Sequence, residues 1–92
     1  MDNPEIYGSG NKRWLLNGQM HRTDGPAIVW AGGDVEWYLY GERHRTDGPA
    51  VEFIDGELWW CLNDKCYTFD EWLELNPDLA HEQKVMMKLQ YG

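Results

Sequence analysis

The sequence predicts a β-rich α+β fold: three tandem 23-residue β-hairpin repeats forming an antiparallel meander sheet, followed by two short C-terminal helices. Three observations carry this prediction. The heptapeptide His-Arg-Thr-Asp-Gly-Pro-Ala occurs at His21–Ala27 and again, unchanged, at His44–Ala50. A shift of 23 residues then stacks Trp14, Trp37 and Trp60, with Leu16, Leu39 and Leu62 beside them. At Thr68 the strand-like alternation gives way to helix-start chemistry.

Each copy reads as strand, turn, strand. Short apolar runs at Ile6–Gly8, Ala27–Ala31 and Ala50–Ile54 lead into glycine-containing turns, among them Gly32-Gly33-Asp34 and Asp55-Gly56. Such dipeptides supply the positive φ of tight hairpins. The second strands are Arg13–Asn17, Val35–Tyr40 and Leu58–Asn63. Side chains alternate along a strand, so Trp14/Leu16, Trp37/Leu39 and Trp60/Leu62 share one face, the expected core. The other face carries Leu15, Tyr38, Tyr40, Trp59 and Cys61, too apolar to be left to water. The C-terminal segment is expected to cover it, or a partner to bind it. Upstream, Tyr7, Trp30 and Phe53 also align, so the repeats span residues 5–67, and the third copy decays after Tyr67.

In the tail, Thr68–Glu71 has capping-box spacing and starts a helix that ends near Leu75, anchored by Trp72 and Leu75. Asn76-Pro77-Asp78 reads as a second helix start, running from Pro77 to about Gln90 with Leu79, Val85, Met86 and Leu89 as its apolar stripe.

Composition narrows the function. Ninety-two residues make a single domain, 1–92, with repeats over 5–67 and helices over 68–92. The net charge of −8 argues against nucleic acid as a partner, because phosphate binding needs a dense cationic surface. No window is apolar enough to span a bilayer, no membrane partner is expected, and the N-terminus lacks the pattern of a signal peptide. Cytoplasmic residence follows, with Cys61 and Cys66 read as reduced thiols in preference to a disulfide. No nucleophile elbow, phosphate loop or metal signature is present, so neither an enzyme nor a cofactor or metal protein is expected.

The repeated heptapeptide has two readings. As a structural clip, Asp-Gly-Pro turns the chain, Arg22 and Arg45 pair with Asp24 and Asp47, and His21 and His44 donate to backbone carbonyls. As a site, the pairs His21-Arg22 and His44-Arg45 grip a small anionic ligand such as a nucleotide. The clip is favoured. Tyr38, Tyr40 and Trp59 are then the candidate protein-contact residues, since aromatic side chains dominate interface energetics.

The segment Trp37-Tyr38-Leu39-Tyr40-Gly41-Glu42-Arg43-His44-Arg45-Thr46-Asp47-Gly48-Pro49-Ala50 fits the pattern W-Y-x-N-G-x-x-H-R-x-D-G-P-A, apart from Tyr40 in place of the asparagine. It resembles short tandem repeats in hypothetical proteins of bacteriophages and large DNA viruses. More distantly, the layout is similar to MORN repeats, through the 23-residue period and the element Asn17-Gly18-Gln19-Met20-His21. The spacing from the histidine to the next Asp-Gly exceeds that of MORN repeats, and the third copy lacks His-Arg and Gly-Pro-Ala. The resemblance covers residues 5–67, and its MORN part implies an extended sheet that binds proteins or membranes. Together these readings give a phage-encoded protein that binds and modulates a host protein, such as a defence factor, in the host cytoplasm. Structural homo-oligomerisation is a further alternative.

Overall fold

The computed structural model describes residues 3–92. Met1 and Asp2, the start of the segment read for a targeting signal, lie outside the described residues. The chain is β-rich and mostly antiparallel, with two helices at its C-terminal end. Hairpins β1 (Glu5–Tyr7)/β2 (Asn11–Arg13), β5 (Ile28–Val29)/β6 (Val35–Glu36) and β9 (Val51–Glu52)/β10 (Leu58–Leu62) lie side by side, and β11 (Lys65–Tyr67) pairs with the end of β10. The sheet order is β1-β2-β5-β6-β9-β10-β11.

Two further ribbons interrupt the expected simple meander: β3 (Leu15–Leu16) with β4 (Gln19–Met20), and β7 (Tyr38–Leu39) with β8 (Glu42–Arg43). The strands expected over Arg13–Asn17 and Val35–Tyr40 therefore break at their tryptophans. The Trp14 N–H donates to Ala27 O (2.8 Å), while its carbonyl accepts from His21 N–H (3.0 Å). Trp37 repeats this with Ala50 (2.6 Å) and His44 (3.1 Å). One residue thus hands the chain from one strand partner to another. The ribbons turn at Asn17-Gly18 and Tyr40-Gly41, and the β10–β11 hairpin at Asn63-Asp64, with φ positive at both positions of each pair. That is the geometry of a two-residue hairpin turn.

Helix α1 (Phe69–Leu75) begins as expected: Glu71 N–H donates to Thr68 Oγ1 (3.2 Å), and Glu71 Oε1 accepts from Thr68 N–H (3.0 Å). Its anchors are Trp72 and Leu73, both buried, whereas Leu75 is exposed. Helix α2 (His81–Tyr91) starts four residues later than expected. Asn76 is the reason: its amide is buried, donating to Thr46 O (2.7 Å) and accepting from Asp78 N–H (3.1 Å), so it caps a turn instead of a helix. Leu79 and Met87 pack inward, while Val85, Met86 and Leu89 of the expected stripe face outward. No helix among the described residues is long and apolar enough to cross a membrane.

The helices cover the face of Trp60 and Leu62. Trp60 sits 4.8 Å from the Trp72 ring, 4.6 Å from Phe69 and 4.9 Å from Tyr91, centroid to centroid. The opposite face is covered by its own side chains. Trp30 Nε1 (2.7 Å), Tyr38 Oη (3.1 Å) and Arg43 Nε (3.3 Å) all donate to the Glu36 carboxylate, and the Arg43 guanidinium lies beside the rings of Tyr38 and Trp59. Ile28, Tyr38 and Cys61 on this face are buried. Cys61 and Cys66, expected as thiols, face each other directly across β10–β11 and form a disulfide.

Candidate binding surface

The two heptapeptide segments adopt one construction. Arg22 N–H donates to Tyr38 O of β7 and Arg45 N–H to Cys61 O of β10, each at 3.2 Å, so each segment is seated on the next two-residue-turn hairpin. The histidines hold the next turn. His21 Nδ1 accepts from Tyr40 N–H and His44 Nδ1 from Asn63 N–H, both at 3.0 Å. This corrects the expectation that they donate to carbonyls: the turn's N–H is a donor without a ladder partner, and the ring nitrogen satisfies it.

The arginines close the loops. Arg22 Nε bonds Asp24 (2.9 Å) and its Nη1 bonds Pro26 O (3.2 Å); Arg45 bonds Asp47 (2.8 Å), Pro49 O (3.2 Å) and Glu52 (3.2 Å). Each guanidinium lies 3.9 Å over an indole, Trp14 and Trp37 respectively. A Cβ on Gly25 or Gly48 would fall 2.7 Å from the guanidinium carbon, so any larger residue there would make the arginine shift from its place beneath the loop. The hydrogen bond from Arg22 holds the Asp24 carboxyl below the ordinary carboxylate range.

Between the two loops is an open cavity of about 300 Å³ lined by Arg22, Thr23, Trp37, His44, Arg45 and Asp78, among others. It brings together three of the four His-Arg residues singled out in the sequence, with His21 turned toward Tyr40. At least one carboxylate already pairs with each arginine and Asp78 adds another negative charge, so the cavity offers an anion little net positive charge.

The aromatic candidates separate. Tyr38 is buried, and burial together with the neighbouring Glu36 pushes its hydroxyl up to about 12; it supports the sheet and does not offer a contact. Trp59 is partly exposed, its indole N–H bonded to Glu57 (3.1 Å) and its ring edge-on to Phe53. Tyr40 is 64% exposed, its ring 4.3 Å from the His21 imidazole, and its backbone φ is +50°. That left-handed conformation suits Gly or Asn and is costly for a bulky side chain. The same turn position carries Asn17 (φ 51°) and Asn63 (φ 50°).

The residues that organise these features but were missed in the sequence are Glu36 and Arg43. No motif marks them; only the pairing of β6, β7 and β8 brings them together. Among the described residues no group of three or more His, Cys, Asp or Glu side chains is placed to hold a metal ion. No protein-family model, curated protein or solved structure matches this chain.

Proposed function

We propose that this chain is a non-enzymatic binding module of three 23-residue hairpin units, phage-encoded, which docks a host protein in the host cytoplasm with Tyr40 as its principal anchor. The observation that carries this reading is the placement of Tyr40. A tyrosine stands, mostly exposed, at a left-handed turn position where the neighbouring turns use asparagine. Backbone strain of this kind, on the order of 1 kcal/mol, is retained where function requires it. The ring is also pre-positioned by its contact with buried His21, which lowers the entropy lost when it is immobilised at an interface. The alternative of an anionic ligand held by Arg22 and Arg45 is weaker, because Asp24, Asp47 and Glu52 already offset the charge of both guanidiniums.

Tyr40→Asn separates binding from stability. The substitution relieves the strained φ and loses the tilted ring contact with His21, effects of similar size, so the melting temperature should stay within a few degrees of wild type. Affinity capture from bacterial host lysate should recover a partner with the wild-type chain and lose it, at least tenfold, with the variant, as expected for a hot-spot aromatic worth about 2 kcal/mol. Equal capture by both proteins, or none by the wild type, contradicts the reading.

A further inference from the structure

The second cross-strand pair from the turn of each two-residue-turn hairpin occupies one structural position, and its chemistry changes along the chain. It is Leu15 with Met20 in β3–β4, Tyr38 with Arg43 in β7–β8, and Cys61 with Cys66 in β10–β11. The first two pairs are non-covalent, two apolar residues and a cation–π pair. The third is a disulfide, and it stands where the sheet hands over to the helices: Thr68, the cap of α1, follows Cys66 by two residues. The loop it closes seats the preceding segment. Asn63 N–H reaches His44 Nδ1, Asp64 N–H reaches Arg43 O (2.8 Å), and Cys61 O accepts from Arg45 N–H. Helix α1 docks on the same stretch, with Trp72 Nε1 donating to Arg45 O (3.1 Å) and Asn76 donating to Thr46 O. The two cysteines are not equivalent, because Cys61 is fully buried and Cys66 is an exposed residue.

We infer that the Cys61–Cys66 disulfide is a redox latch on the helical cap: closed, it fixes α1 and α2 against Trp60; open, it lets the cap loosen while the sheet upstream stays folded. A dithiol reductant opens it by attack of one thiolate on Sγ of Cys66, the exposed residue of the pair. The S–S bond breaks, and Cys61 departs as a thiolate and takes up a proton. The reductant's second thiol then closes its own disulfide and releases Cys66 as a thiol, so two electrons and two protons pass to the protein. The latch adds local stability by shortening the range of states open to the hairpin when the cap detaches.

Hydrogen exchange read by mass spectrometry tests this on the full chain. In the oxidised protein, amides over 60–91 should exchange about tenfold more slowly than in the same protein held in dithiothreitol, with little change over 28–52. A Cys61→Ala/Cys66→Ala variant should show the faster exchange over 60–91 in both conditions and no response to the reductant. The inference is overturned if oxidised and reduced wild type exchange alike over 60–91, if the change spreads evenly over the sheet, or if both cysteines remain alkylatable after incubation with glutathione disulfide.

Discussion

Trp72→Ala should cost about 3–5 kcal/mol of unfolding free energy, the range for removing a large aromatic side chain from a packed core. Trp72 is fully buried, lies against Trp60 and Phe69, and is held by its indole N–H on Arg45 O. A small domain has only about 5–15 kcal/mol in total, so this single change brings the chain close to unfolding. Trp72→Phe refills much of the volume but leaves the Arg45 carbonyl without its donor, and should fall between the two by about 1–3 kcal/mol from wild type. Urea titrations of the three proteins measure the series. A Trp72→Ala loss below about 1 kcal/mol would mean that the helices do not form part of the cooperative core.

Arg45→Ala should destabilise by about 2–3 kcal/mol, because charge-assisted hydrogen bonds carry more than neutral ones and this guanidinium makes three. It also lies over Trp37, whose ring would be uncovered. Arg45→Lys should recover little, since a point-like ammonium cannot reach Asp47, Pro49 O and Glu52 together. Arg22→Ala should cost less than Arg45→Ala: it makes the same aspartate and proline-carbonyl bonds without a second carboxylate. Thermal and urea unfolding of the set decide the matter. Wild-type stability in Arg45→Ala would return the loop to the status of a free ligand grip.

Parts of this architecture are written locally and were legible. The capping box at Thr68–Glu71 and the Gly-Gly and Asp-Gly turns each act within a few residues, so the sequence alone places them. The break at Trp14 and Trp37 is not local. Nothing in a tryptophan's neighbours states that its N–H and C=O will face Ala27 and His21 on different strands. The ribbon turn was available in Asn17-Gly18, a strong hairpin signal. In the second ribbon, Tyr40 hides the same turn, because its conformation opposes its propensity. Asn76 resembled a helix cap until the Thr46 carbonyl came within reach from thirty residues away. Of the candidate contacts, Tyr40 and Trp59 stayed exposed while Tyr38 went inside, for a partner, Glu36, that also binds Trp30 and Arg43. The cysteines were misread because compartment outweighed register, and register emerges only once β10 and β11 pair.

The central claim is that the heptapeptide segments are structural clasps whose polar groups serve the fold. The histidine tautomers test it most directly. If Nδ1 of His21 and of His44 accepts the backbone N–H of Tyr40 and Asn63, the proton of the neutral ring must sit on Nε2. Long-range nitrogen–proton NMR correlation at neutral pH should therefore show both rings as the Nε2–H tautomer, with Nδ1 in the unprotonated, acceptor range. Rings in tautomeric exchange, or protonated at Nδ1, would contradict the clasp.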